Sequence, residues 1–138
     1  MTERIDVFKA SLRRCLGPPT FLERFYELFL ASSPEVAAKF EGTDFQRQKA
    51  ALRDSFFVME TVAESAPSSP PWAALRKLAV THDRDHRDVP PEMYDLWLSC
   101  LIEAVSEYDP QFSPEVERAW RETLTVGIDY MRGAYPGS

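Results

Sequence analysis

The sequence predicts an all-α protein, one domain over residues 1–138 with about seven helices around a single core. Apolar residues recur at intervals of three and four along nearly every segment, and no run alternates with period two over a strand's length. Proline, glycine and serine clusters divide these segments at short intervals, leaving no linker long enough to separate two domains and no internal repeat. A chain of 138 residues is also long enough to bury about 68% of its unfolded surface, so it needs no disulfide or structural metal as a staple.

The elements follow in order. A first helix over about 3 to 15 places Ile5, Phe8 and Leu12 on one side and is stopped by Gly17-Pro18-Pro19. Thr20 and Glu23 have capping-box spacing, opening a helix of about 21 to 31 with Leu22, Phe25, Tyr26, Phe29 and Leu30 as a broad inward stripe. Ser33-Pro34 starts a short helix that ends near Phe40, because proline at the first helical position forfeits no hydrogen bond. After Gly42 and Thr43, a helix of about 44 to 64 turns Phe45, Leu52, Phe56 and Met59 inward, with Gln48 on the face of Leu52. A loop rich in proline and serine leads to a helix of about 72 to 81, where Leu75, Leu78 and His82 share a face. Pro90-Pro91 opens a helix of about 91 to 107 bearing Met93, Tyr94, Trp97, Leu98, Leu101, Ile102 and Val105. Ser113-Pro114-Glu115 opens the last, about 114 to 134, with Val116, Trp120, Leu124, Ile128 and Met131 as its stripe.

Charge and composition narrow the function. The formal net charge of −6 opposes sequence-independent attraction to nucleic acid or to anionic lipid. No apolar run approaches the roughly 20 residues of a membrane span, and the charged opening residues lack the apolar core of a signal peptide, so a cytoplasmic protein is expected. Cys15 and Cys100 lack metal-ligand spacing and read as buried free thiols. No phosphate-cradling glycine loop, Cys-x-x-Cys, His-Glu-x-x-His or Gly-x-Ser-x-Gly occurs.

Both histidines stand in Leu78-Ala-Val-Thr-His82-Asp-Arg-Asp-His86-Arg-Asp-Val-Pro-Pro91. With Asp83, Asp85 and Asp88 they suggest a divalent-metal site, but charged residues ahead of a Pro-Pro turn more often face solvent. His82 lies four residues past Leu78 and seven past Leu75, and so faces inward with them, while His86 sits at the helix exit. An inward histidine requires a partner for each ring nitrogen. It is either a core residue bonded to backbone carbonyls or an iron ligand whose second nitrogen donates to a carbonyl one turn earlier.

The ordered set of residues from about Phe21 to Tyr135 resembles the globin family, in particular the short bacterial single-domain globins. In "FYELFLASSPEVAAKF", Tyr26, Pro34 and Phe40 are similar to the family's aromatic residue, proline and heme-wedging phenylalanine; in "LRKLAVTHDRDHRDVPPEMYDLW", Leu78, His82, Val89, Pro90 and Tyr94 follow the proximal pattern. "DPQFSPEVERAWRETLTVGIDYM" is similar to the final helix. The resemblance implies a three-over-three globin fold around heme b, with His82 as the axial iron ligand. It implies pocket walls from Phe40, Leu52, Leu78, Val89, Tyr94 and Trp97, and places His86, Arg84 or Arg87 near the heme propionates. No histidine stands outside positions 82 and 86, so a distal histidine is lacking. Tyr26 and Gln48 are the expected distal groups, with Arg47 and Ala51 replacing Gln48 and Leu52 if the register shifts back by one.

The function implied is reversible binding of oxygen or another diatomic ligand, NO or CO, by a monomer or homodimer. Two rivals stand beside it: a heme enzyme, nitric oxide dioxygenase or peroxidase-like, fed by an external electron donor, and a globin fold without heme used as a sensory or interaction module. The chain is too short for a reductase domain of its own.

Overall fold

The computed structural model describes residues 4–64, 76–77 and 91–134. Six helices occupy them: α1 (Arg4–Leu16), α2 (Thr20–Ser32), α3 (Pro34–Lys39), α4 (Phe45–Ala63), α5 (Pro91–Tyr108) and α6 (Pro114–Ala134). No strand occurs among the described residues. Arg76 and Lys77 are helical, and the rest of the helix expected over 72–81 lies outside the described residues. No helix among the described residues is long and apolar enough to cross a membrane.

Local chemistry sets the helix boundaries. The Ser33 hydroxyl oxygen accepts from the Glu35 N–H at 3.1 Å with Pro34 at the first helical position, so α3 starts where the sequence places it. The Asp44 carboxylate accepts from the Gln46 and Arg47 N–H groups at 3.0 and 3.4 Å, fixing the start of α4. Gly42, at φ 72°, supplies the left-handed turn between them. Ser113 accepts from the Val116 N–H at 3.2 Å and opens α6.

The capping box expected from Thr20 and Glu23 does not form. Pro19 already has helical angles and α2 has no side-chain cap, so Thr20 lies inside the first turn and lacks the extended backbone a capping residue needs. Its hydroxyl accepts from Tyr108 of α5 at 2.8 Å, and Glu23 instead pairs with Lys49 of α4 at 3.1 Å.

The helices cross in two stacks that share a core: α2 packs along α5, while α1 and α4 both pack along α6. Trp120, Phe8, Phe21, Phe25, Phe56 and Leu101 are fully buried, each stabilising the fold by about 1.5–3 kcal/mol. The α4–α6 crossing is close because Gly127 has no side chain; a Cβ there would stand 3.1 Å from Cγ of Met59. Cys15 and Cys100 are buried free thiols, as their spacing suggested, and burial pushes the Cys15 thiol up to about 12.

Candidate functional site

The inward stripe of α2 delivers Phe25, Tyr26 and Phe29 to the interior. Tyr26 meets Phe40 at 5.8 Å and Phe45 at 5.5 Å between ring centroids, both edge to face, the arrangement that aromatic quadrupoles favour. Phe40 caps the C-terminus of α3, so this short helix, set by Ser33 and Pro34, carries its ring to Tyr26. Phe45 is the first residue of α4 and stacks on Phe40 at 6.0 Å. Three elements therefore close an aromatic wall around one hydroxyl.

That hydroxyl donates to the backbone carbonyl of Gln48 at 3.5 Å, long for an O–H···O bond, whose usual separation is about 2.7–2.8 Å. Burial pushes Tyr26 up to about 12, against the smaller opposite pull of its bond to Gln48. The phenol therefore remains a proton donor at neutral pH. Further along α4, Gln48 is half-buried and Leu52 is buried, whereas Arg47 and Ala51 are exposed, so the face turned inward is the one carrying Gln48 and Leu52. The Lys49–Glu23 ion pair ties this turn of α4 to α2.

α5 buries Tyr94 and brings Trp97 to Phe25. Tyr94 is 7% exposed, and burial raises it to about 12. Trp97 is half-buried and stands edge-on to Phe25 at 6.1 Å, which in turn meets Tyr26 at 4.9 Å. Tyr26, Phe40 and the Gln48 backbone are thus in one place, joined to Trp97 through Phe25. Leu78, His82, His86 and Val89, with Arg84 and Arg87, lie outside the described residues.

The spacing of Phe45 predicts an inward ring but not its place in this wall. Its signal was available in the five-residue spacing from Phe40, which lets one turn fold both rings toward α2. Phe25 has the spacing of an ordinary stripe residue, and nothing in that spacing distinguishes a ring that bridges Tyr26 to Trp97.

The globin family model matches residues 23–131. A Pseudomonas aeruginosa PAO1 protein, whose crystal structure is described as structurally highly homologous to a human hemoglobin, is similar to this chain with 36% identity and a TM-score of 0.92; the match covers 98% of this chain and 100% of that one. No curated protein matches. With the family pattern spanning most of its length and the helices stacked as that structure stacks them, the chain belongs to the globin family.

Proposed function

We propose that this globin holds heme b through His82 and reversibly binds oxygen or a related diatomic ligand. The observation that carries the reading is the Tyr26 hydroxyl: protonated, on a buried ring packed by Phe25, Phe40 and Phe45, and bonded among the described residues only by a long contact to the Gln48 carbonyl. A polar group enclosed by apolar walls with so weak a bond can turn to a ligand at little expense. Membership of the globin family and the likeness to a protein described as hemoglobin-like support the same reading.

The residue types suit a heme: His82, whose spacing from Leu75 and Leu78 predicts an inward imidazole, would be the iron ligand, and the rings around Tyr26 offer flat apolar contact. Held by His82, the heme would supply an iron able to bind a diatomic ligand reversibly. Phe40, Leu52, Tyr94 and Trp97 would line the pocket and keep water from it, as the sequence pattern also assigns to Leu78 and Val89, and His86, Arg84 or Arg87 would be the partners of the propionates. Tyr26, with Gln48 beside it, donates a hydrogen bond to a ligand carrying partial negative charge.

The test is an absorption spectrum of the purified protein, reduced and then exposed to carbon monoxide. The expected result is a Soret band that shifts on adding the gas, with imidazole ligation lost in His82→Gly. A protein expressed with ample heme but showing no Soret band, or a His82→Gly variant with unchanged histidine-ligated iron, overturns the proposal.

A further inference from the structure

Glu23 and Tyr26, one helical turn apart on α2, both reach the same turn of α4. The Tyr26 hydroxyl donates to the Gln48 carbonyl at 3.5 Å, and the Glu23 carboxylate accepts from Nζ of the next residue, Lys49, at 3.1 Å. Residues at this spacing share a helix face, so the two contacts lie along one seam. The Glu23 side chain is 54% exposed and Tyr26 is 5% exposed, which puts the ion pair on the solvent side of the seam and the phenol inside, about 5.4 Å of helix rise apart.

The seam is held differently from the rest of the enclosure. Elsewhere Tyr26 is packed by the rings of Phe25, Phe40 and Phe45, and close-packed rings part only at the cost of their contacts. Toward Glu23 and Lys49 the described residues add no ring contact to Tyr26, only a long hydrogen bond and an ion pair. The Lys49 side chain is 16% exposed, so its stem is covered while its ammonium reaches across to Glu23. α2 packs chiefly along α5 and touches α4 sparsely. The far half of α4 is anchored on α6, where Met59 meets Gly127, whereas its first turn follows the left-handed turn at Gly42.

We propose that the Glu23–Lys49 ion pair is the latch of a gate between α2 and α4, and that ligand reaches and leaves the Tyr26 hydroxyl when this latch parts. The proposal rests on the heme reading above. Opening tilts the first turns of α4 away from α2, with the turn at Gly42 absorbing the change in backbone angles and the Met59 contact holding the far half in place. The Tyr26 hydroxyl loses only its long bond to the Gln48 carbonyl in the process. Lys49 and Glu23 are positioning residues: they touch neither heme nor ligand and act through the helix that carries Gln48.

A latch has a kinetic signature that a ligand contact lacks. Acting alike on the empty and the occupied pocket, it changes only the fraction of time for which the path is open. It therefore multiplies association and dissociation rates by one factor and leaves their ratio, the affinity, unchanged. Tyr26→Phe, by contrast, speeds dissociation and lowers affinity with it. The latch is also electrostatic and partly solvated, so salt weakens it, which would leave a gate held by apolar contacts shut.

The experiment follows carbon monoxide in the heme-loaded full chain, its rebinding after flash photolysis and its release on displacement by nitric oxide. Glu23→Gln and Lys49→Met each raise both rates about two- to fivefold, the range that partly exposed ion pairs support, with affinity unchanged. Sodium chloride at about 1 M does the same to the wild type and little to either variant. The reversed pair, Glu23→Lys with Lys49→Glu, returns both rates to the wild-type values. Unchanged rates in the single variants, a shift in affinity without faster association, or a reversed pair as fast as the single variants overturns the proposal. Should the protein lack a Soret band, the heme reading fails on its own, and amide hydrogen exchange decides for the latch: faster exchange over Gln48 to Leu52 in Glu23→Gln, restored in the reversed pair, supports it, and equal exchange overturns it.

Discussion

Tyr26 shows how one side chain can be both core and function. Its ring is packed by Phe25, Phe40 and Phe45, so replacing it with phenylalanine keeps the packing and removes only the hydroxyl. The hydroxyl's bond to Gln48 is long, and its loss costs little stability. A hydrogen bond to a partly charged ligand contributes about 1.5–3 kcal/mol, equivalent to one to two orders of magnitude in dissociation rate. Tyr26→Phe is therefore expected to speed oxygen release by more than about fivefold while shifting the thermal midpoint only slightly. Stopped-flow displacement of oxygen by carbon monoxide measures the rate, and an unchanged value removes Tyr26 from the ligand site.

At the scale of the element, the sequence was most legible where a helix begins on a cap. Ser33-Pro34, Asp44 and Ser113 each stand where the backbone becomes helical; capping chemistry is local, and local chemistry can be read from spacing. Thr20 and Glu23 had the right spacing too, but Pro19 extends α2 by a residue and the two side chains pair with α5 and α4. Tertiary partners decided the matter, and spacing carries no record of them. The Asp44 cap has more than local consequence, because it fixes the turn of α4 that presents Gln48 and Leu52. Replacing Asp44 with alanine leaves the Gln46 and Arg47 N–H groups to water and should lower stability by about 1 kcal/mol. In denaturant titration the midpoint moves down without a change in slope, and a midpoint equal to the wild type's would show that α4 starts independently of its cap.

Across the whole molecule, the helical class, the succession of elements and the inward face of α4 followed from periodicity, because amphipathic helices must bury one stripe each. The aromatic wall was partly legible: Tyr26 and Phe40 came from their pattern, while Phe45 needed the turn at Gly42 to bring it back. The network of Ser11, Arg14, Asp109 and Trp120 was not legible at all, since its partners are 95 or more residues apart in the chain. It nevertheless joins α1, the turn after α5 and α6, and it makes the fold sensitive to acid. Burial alone would raise the Asp109 carboxyl, but bonds from Arg14, Ser11 and the Gln111 N–H outweigh it and hold the group below its ordinary 3.8. A carboxyl depressed in the folded state gives stability that is complete above its unfolded value and is lost as pH falls through the folded one. Unfolding free energy should therefore decline below about pH 4. Exposed Glu107, lowered by its bond to Arg24, adds only a minor part. Asp109→Asn should cost about 1.5–3 kcal/mol at neutral pH, the worth of hydrogen bonds to a charged group, and should flatten the acid decline. Glu107→Gln should leave that decline nearly intact. Denaturant midpoints from pH 7 down to pH 3 distinguish the two, and an acid decline equally steep in Asp109→Asn would show that the fold yields to acid elsewhere.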